Sequence, residues 1–339
     1  MKNLPKLKNT IRLLLLIFLT LSFGNSCKGS KEKKNTLPEQ AGIILGFSQI
    51  GEESAWRKCN TRSVKEAALE SGVQLVFANA EQKQENQIKA IRSFIAYLVD
   101  VIAFVPIVAD GWDNVLREAK DAGIPVLITD RKINTADNSL YAGFIGTDSL
   151  EEGRNAALFL IKKFGIKPGE SGKEFKPINI VELSGTEGSS VATGRAAGFR
   201  EVLDEYPQFN IIHSESGDFL RSKGYELMHS ILGKYKNIDV VFSHNDGMTL
   251  GIIDAMTEKG IKPGKDIVIV TIDAEQAAID ALRLGKVNFV IECNPKMGPE
   301  IMDLVQRLVA GERIPRLQHV DEQVFYETDD LSILEPRGY

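Results

Sequence analysis

Charged and aromatic side chains recur where predicted strands of this 339-residue chain end. Asp130 and Arg131 directly follow one strand, and Arg195 lies in the first turns of the helix after another. Ionised Asp and Arg form strong hydrogen bonds, and each sugar hydroxyl can donate one bond and accept others. Aromatic rings can cover the apolar C–H face of a sugar. The recurrent set therefore suits a sugar ligand and comprises Trp56, Arg57, Asp130, Arg131, Arg195, Phe219, Asn245 and Asp273.

Each of these side chains also has a purely structural interpretation. Asp and Asn at strand ends often cap the next helix. Trp56 taken alone is typical of a core residue, and a surface pair of Asp130 with Arg131 contributes little stability. Only the repetition at successive strand ends favours a ligand site.

The elements that must position these residues alternate along the chain from residue 43. Short apolar runs such as 101–105 and 124–129 predict strands, and the stretches between them predict helices. The alternation restarts with a helix over 149–164 and continues to about residue 310. Strands near five residues alternating with helices indicate parallel sheets with helices on both faces. We expect two doubly wound, Rossmann-like α/β domains, in which ligands bind beyond the carboxyl ends of the strands.

The first residues are typical of an export signal. Basic residues from Lys2 to Arg12 precede the apolar run 13–19, which is shorter than the roughly 20 residues that span a bilayer. No later segment is long enough to span one. We expect a signal peptide over 1–26 and a protein in the periplasm or cell envelope.

Cys27 follows small residues, and this arrangement resembles a bacterial lipoprotein processing site. We expect lipidation of Cys27, membrane contact through that lipid, and a flexible tether over 27–41. The alternative is an ordinary signal peptide cut near Ser26, which leaves a free thiol.

Sequence motifs of enzymes and of nucleic-acid-binding proteins are missing. The formal charge is -5 without a long basic run, which argues against nucleic acid as a partner. There is no G-x-S-x-G elbow, no Walker A loop and no metal-spaced His cluster. We expect no catalysis, no metal and no cofactor. Cys59 and Cys293 lie far apart, and we expect two buried thiols; export permits a disulfide as the alternative.

Several stretches resemble the periplasmic sugar-binding proteins of ABC transporters, in the ribose-binding-protein-like group. The similarity covers nearly all of residues 42–339, and the galactofuranose-binding subgroup is the most similar. ITDR alone is weak, because it also occurs in related transcriptional regulators. The stretches are GFSQIGEESAWR (46–57), QKQENQIKAIRSF (82–94), ITDR (128–131), SGDFLRSKG (216–224), HNDGM (244–248) and KPGKDI (262–267).

The resemblance implies ligand roles for individual residues. Asp130 and Arg131 match the pair that holds sugar hydroxyls from the first domain, and Trp56-Arg57 matches the galactofuranose-binding subgroup. Trp112 is expected either to line the cleft or to be buried against its helix. The other expected cleft residues are Arg195, Phe219, Asn245, Asp273, Glu53 and Glu292.

The resemblance also implies a type I periplasmic binding protein fold with a three-strand hinge. The expected crossings lie near 146–148, 292–294 and 319–323. A monomer would enclose a monosaccharide by hinge closure and deliver it to an ABC transporter permease. The expected lobes are 42–147 plus 293–320, and 148–292 plus 321–339.

Two other functions share this expected core. A sugar-responsive regulator in the cytosol would need a helix-turn-helix where this chain has its export signal. A receptor for ribose, another pentose or a signalling molecule that feeds chemosensing would have the same fold. The side chains do not distinguish furanose from pyranose rings.

Overall fold

A computed structural model of the protein describes residues 42–167 and 176–339. The expected signal peptide, Cys27 and the expected tether lie outside the described residues. None of the helices in the described part of the chain combines the length and the apolar character needed to cross a bilayer.

The first half of the described chain alternates strands with helices. Its elements are β1 (Ile44–Gln49), α1 (Ala55–Glu70), β2 (Gln74–Asn79), α2 (Gln84–Tyr97), β3 (Val101–Phe104), α3 (Asp113–Asp121), β4 (Val126–Thr129), β5 (Gly143–Gly146) and α4 (Ser149–Phe164).

The alternation continues through the second half. Its elements are β6 (Ile178–Ser184), α5 (Ser190–Leu203), β7 (Phe209–Ser216), α6 (Arg221–Lys234), β8 (Val240–Ser243), α7 (Asp246–Glu258), β9 (Val268–Asp273), α8 (Gln276–Arg283), β10 (Phe289–Glu292), α9 (Gly298–Val309), β11 (Leu317–His319) and β12 (Val324–Tyr326).

These strands form two sheets with corresponding strand orders. The first sheet has the order β11-β5-β4-β3-β1-β2, and the second has the order β12-β10-β9-β8-β6-β7. All strand pairs of the first sheet are parallel, whereas β12 runs antiparallel to β10 in the second. The central strands are buried on both faces, as their continuous apolar sequences require. The expectation of two doubly wound α/β domains is confirmed.

The C-terminal part of the chain contributes to both sheets. After β10 the chain leaves the second sheet, and the next helix, α9, packs against α1 of the first domain. The chain then adds β11 to the edge of the first sheet and β12 to the edge of the second. The two domains are therefore tied together at one end, beside the carboxyl ends of their central strands.

Small residues set the distance between α4 and α5. A Cβ on Gly153 would lie 2.1 Å from the carbonyl oxygen of Arg195, and a Cβ on Gly198 would lie 2.0 Å from that of Leu150. Only glycine permits these backbones to approach so closely. This approach brings Arg195 of α5 against Glu152 of α4.

Candidate functional site

A cavity between the two domains collects the carboxyl ends of strands from both sheets, and its empty volume is about 330 Å³. The lining residues are Glu53, Ser54, Trp56, Arg57, Asp130, Arg131, Val191, Arg195, Phe219, Asn245, Asp273 and Cys293. The structure thus brings together all the expected cleft residues except Glu292.

The first domain contributes a buried cluster of four charges. Nη1 of Arg57 lies 2.7 Å from Oδ2 of Asp130, and Nε of Arg57 donates to Oε1 of Glu53 at 3.1 Å. Arg131 donates through Nη1 to the carbonyl oxygen of Ile107 at 3.0 Å. All four charged side chains are nearly excluded from solvent. Two acids and two arginines therefore balance each other within this half of the cavity.

Several atoms of this cluster have free hydrogen-bonding capacity. Oε2 of Glu53, Nη1 of Arg57 and Oδ2 of Asp130 are buried without a hydrogen-bond partner among the described residues. Nη1 of Arg57 and Oδ2 of Asp130 face each other as an ion pair. Buried polar atoms are costly to leave unpaired, so a ligand hydroxyl at this position would satisfy them.

The charges also set the ionisation of the cluster. Burial opposes ionisation of Glu53, but the positive charges of Arg57 and Arg131 outweigh it and lower the pKa of that carboxyl. Burial and the neighbouring Arg57 lower the pKa of Arg131 to about 10, against the attraction of Asp130 and Glu53. Both groups remain charged at neutral pH, when charge-assisted hydrogen bonds to a ligand are strongest.

Arg195 organises the half of the cavity that the second domain contributes. Its Nε donates to Oε2 of Glu152 at 2.6 Å, and its Nη1 donates to the carbonyl oxygen of His244. Nη2 lies 3.8 Å from Oδ1 of Asp273. Burial raises the pKa of Asp273 well above its ordinary value, with Arg195 acting in the opposite direction. The hydrogen bonds to Glu152 and to the carbonyl oxygen of His244 thus fix the orientation of the Arg195 guanidinium, and the side chain lines the cavity.

Asn245 has a structural and a site role together. Its Oδ1 accepts the amide of Met248 at 3.0 Å and so caps α7. Its side chain also lines the cavity. The capping interpretation and the ligand-site interpretation of this strand-end residue are therefore compatible.

The arrangement surrounds one small space with carboxylate, guanidinium and amide groups, and with the rings of Phe219 and Trp56. Such groups can bind several hydroxyls at once. A model of the family described as "Periplasmic binding protein domain" matches residues 45–313. The chain is a periplasmic binding protein.

Named relatives of this binding protein cover nearly the same span. It is 41% identical over 292 residues to the galactofuranose-binding protein YtfQ of Escherichia coli K12, covering 85% of this chain and 89% of the relative. A Mycobacterium smegmatis structure in complex with β-D-fucofuranose is 46% identical with a TM-score of 0.82, covering 86% of this chain and 94% of that one.

A third relative is described as the binding protein component of an arabinose ABC transporter. It comes from Shewanella sp. ANA-3, and its structure holds α- and β-L-arabinofuranose. It is 41% identical with a TM-score of 0.79, covering 84% of this chain and 92% of that one.

Glu292 and Trp112 of this binding protein lie away from the cavity. Glu292 pairs with Arg337 and accepts the amide of Gln323 at 3.0 Å, so the C-terminal segment takes up its carboxylate. This corrects the expectation that Glu292 faces the cleft. Trp112 is fully buried, packs on Phe104 with ring centres 4.8 Å apart, and is therefore a core residue.

Three lining residues were not predicted. Ser54 caps α1 by accepting the amide of Arg57 at 3.0 Å, and its position between Glu53 and Trp56 was an available signal. Val191 carried no chemical signal. Cys293 is buried, and both it and Cys59 are free thiols; the disulfide alternative is not what the structure shows.

Unusual backbone conformations coincide with the cavity of this binding protein. Asp130 has φ 62°, Phe219 has φ 61° and Asp273 has φ 129°. Non-glycine residues in this region are strained by about 1–3 kcal/mol each and cluster at functional sites. Three of the lining residues therefore have this unusual backbone conformation.

Two neighbouring carboxyl groups, the buried Glu152 and the half-buried Glu322, lie behind Arg195, where the chain crosses between the sheets. Glu152, Cys293 and Glu322 bring one potential ligand atom each within 4.8 Å of one another. Burial and the neighbouring Glu152 raise the pKa of Glu322 to about 10. Glu322 is therefore protonated at neutral pH and can donate to Glu152, whose other oxygen is bound by Arg195.

Proposed function

We propose that this periplasmic binding protein binds a monosaccharide in its furanose form and delivers it to the permease of a sugar ABC transporter. One observation carries the proposal. Arg57, Asp130 and Arg131 from the first domain converge with Arg195 and Asp273 from the second on one cavity. Only the closed form offers a sugar both sets of partners, so closure supplies the differential affinity that shifts the population.

The choice of a furanose rests on the relatives. Those described above are named for, or solved with, galactofuranose, fucofuranose and arabinofuranose. These sugars share a five-membered ring and differ in the groups attached to it. A galactofuranose-like sugar is the first candidate, and a pentofuranose such as arabinofuranose is the second.

Thermal unfolding with ring-locked sugars tests the choice. Methyl β-D-galactofuranoside should raise the melting temperature, because a ligand that binds only the native state stabilises it by RT ln(1 + [L]/Kd). Methyl β-D-galactopyranoside presents the same functional groups on a six-membered ring and should have no effect. L-Arabinose tests the pentose alternative. A shift with the pyranoside and not with the furanoside would overturn the proposal.

Arg131 provides the residue-level test. Arg131→Ala should abolish binding of methyl β-D-galactofuranoside in calorimetry while the protein still folds. Arg92→Ala is the matched control, because Arg92 is an exposed arginine of the same domain that pairs with Glu118 at 2.8 Å. Unchanged affinity in Arg131→Ala would refute its ligand role.

Binding without turnover is part of the proposal. The relatives are described as binding proteins, and the lining residues are arranged in neutralising pairs. Proton NMR of methyl β-D-galactofuranoside incubated with the protein should show an unchanged glycoside. Release of methanol would establish an enzyme instead.

We further propose a monomer in the periplasm or cell envelope, anchored by lipid on Cys27. The family name supports the periplasmic location, and the anchor rests on the sequence around Cys27. Labelling with a fatty acid analogue should mark the wild type and not Cys27→Ala. Cys59→Ala, which removes a buried thiol, is the control that should retain the label.

The hinge belongs to the same proposal. We place its crossings near 146–148, 292–294 and 319–323, which divides the chain into lobes 42–147 plus 293–320 and 148–292 plus 321–339. The sheet memberships of β5, β10, β11 and β12 support these crossings.

A further inference from the structure

We infer that Glu275, which does not line the cavity, latches the two domains together by capping α1 across the domain boundary. Oε1 of Glu275, between β9 and α8 of the second domain, accepts the backbone amide of Trp56 at 2.9 Å. Trp56 lies in the first turn of α1 in the first domain. The inference deepens the proposed function, since a latch favours the closed form.

The orientation of Glu275 is unusual for its position. It is the N-cap residue of α8, where a carboxylate ordinarily accepts an amide of its own helix. Here the side chain makes no such bond, although the carbonyl oxygen of Glu275 accepts the amides of Ala278 and Ile279 as in an ordinary helix start. The carboxylate is thus free to serve the other domain.

The first turn of α1 needs this partner. The first amides of any helix lack acceptors within the helix. Ser54 satisfies the amide of Arg57, and Glu275 satisfies that of Trp56. The N-terminus of α1 is therefore capped by one residue from each domain. The partial positive charge at a helix N-terminus also attracts a carboxylate.

The hydrogen bond between Glu275 and Trp56 is buried between the domains, so it depends on their closure. Glu275 is 5% exposed and Trp56 is 4% exposed, so their contact is shielded from water. If the domains separate, both groups return to solvent and the bond is lost. The hydrogen bond stabilises the closed form, and this contribution is lost when the domains separate.

Two other hydrogen bonds across the boundary can report on closure. The amide of Ala109 donates to the carbonyl oxygen of Gly188 at 2.9 Å, and the amide of Lys132 donates to Oγ of Ser190 at 2.7 Å. Neither bond shares a residue with Glu275. Their amide hydrogen exchange therefore measures opening at places that a local change at Glu275 does not touch.

Native-state amide exchange, followed by NMR without sugar, tests the latch. Glu275→Ala should accelerate exchange at Ala109 and Lys132 about tenfold, which corresponds to losing one hydrogen bond. Glu275→Gln retains an acceptor oxygen and should restore slow exchange. Asp280→Ala is the matched control, because Asp280 is an exposed acid of α8 that contacts Gln276 and Arg283 of its own helix.

The amide of Leu116, which bonds within the first domain, should exchange equally in all variants. If Ala109 and Lys132 also exchange unchanged in Glu275→Ala, Glu275 is only a local cap and the inference fails. Failure of Glu275→Gln to restore slow exchange, or equal acceleration in Asp280→Ala, would overturn it as well. Should Glu275→Ala not fold, Glu275→Asp, which shortens the reach, takes its place under the same criteria.

Calorimetry with methyl β-D-galactofuranoside provides the functional arm. Affinity should fall about tenfold in Glu275→Ala and return in Glu275→Gln; equal affinity in the wild type and Glu275→Ala would count against the latch. If the furanoside binds no variant and not the wild type, the proposed function fails, while the exchange rates still decide the latch.

Discussion

The guanidinium of Arg131 lies over the ring of Phe219, 5.3 Å from its centre, across the boundary between the domains. Arg195 approaches the same ring at 5.9 Å from within the second domain. Cation–π contacts of this kind contribute about 0.5–2 kcal/mol each. The ring of Phe219 is thus contacted by one arginine from each domain. The position of the ring depends on the space beneath it.

That space exists because residue 185 is glycine. A Cβ at Gly185 would lie 1.8 Å from Cζ of Phe219, so Gly185→Ala must displace the ring. We expect at least tenfold weaker binding of methyl β-D-galactofuranoside, equivalent to about 1.4 kcal/mol or more, in calorimetry. Gly233→Ala is the control, since it meets no atom within 4 Å and should raise stability by up to about 1 kcal/mol. Unaltered affinity in Gly185→Ala would show that the ring does not contact the sugar.

The ionisation of Glu182 should make the free energy of unfolding depend on pH in the acid range. Burial opposes ionisation of its carboxyl, but hydrogen bonds from His244 and Arg200 lower its pKa to about 2 from the ordinary value of 4.5. Because the folded-state pKa is depressed, the stabilisation is present above pH 4.5 and is lost as the pH falls toward 2. Glu182→Gln leaves Arg200 without its carboxylate and should cost about 3 kcal/mol at neutral pH.

Urea unfolding across this pH range checks the sign. The difference between the wild type and Glu182→Gln should shrink as the pH falls below 4.5. Glu201→Gln, which alters an exposed carboxylate paired with Arg154, should follow the wild-type profile. A constant difference at every pH would mean that Glu182 acts through packing and not through its charge.

We expect a bound sugar to slow the chemical modification of the Cys293 thiol. Its thiol lines the cavity and is buried, and burial raises the pKa of the thiol well above its ordinary value. Modification by a maleimide requires the thiolate and access, so it should be slow and slower still with methyl β-D-galactofuranoside. Cys59 does not line the cavity and is the internal control. Equal protection of both thiols would indicate general stabilisation in place of closure over Cys293.

Sequence alone predicted much of the site because the fold brings strand ends together. Asp130 and Asp273 lie far apart in the chain, yet both end central strands of parallel sheets, and the carboxyl ends of such strands flank a common crevice. The two domains were predicted for the same reason, since apolar strands alternate regularly with helices. The three-residue strands β11 and β12 were not, because so short a run has no detectable period.

The unpredicted features depend on distant partners. Glu292 ends β10 as Asp273 ends β9, and the strand-end rule treats them alike. Only the position of Arg337 in the C-terminal segment shows that the Glu292 carboxylate is taken up outside the cavity. Glu275 likewise has the sequence signature of an ordinary helix cap, and its bond to Trp56 depends on how two domains meet. Local pattern carries no information about either relationship.

Glu322 predicts the opposite pH dependence from Glu182, at the place where the chain crosses between the sheets. Burial and Glu152 raise its pKa from 4.5 to about 10, while Arg195 opposes the rise. A raised folded-state pKa means that the stability contribution is fully present below pH 4.5 and decreases as the pH rises toward 10. Glu322→Gln keeps a donor for Glu152 and cannot ionise, so it should be more stable than the wild type near pH 8, by up to about 5 kcal/mol.

The free energy of unfolding in urea, measured from pH 5 to pH 9, tests this prediction. The gain in Glu322→Gln should grow steadily with pH, because the unfolded wild type releases a proton that the folded protein retains. Asp321→Asn, an exposed neighbour in the same segment, should track the wild type. Parallel profiles for Glu322→Gln and the wild type would show that Glu322 ionises normally and that its pKa is not raised in the folded protein.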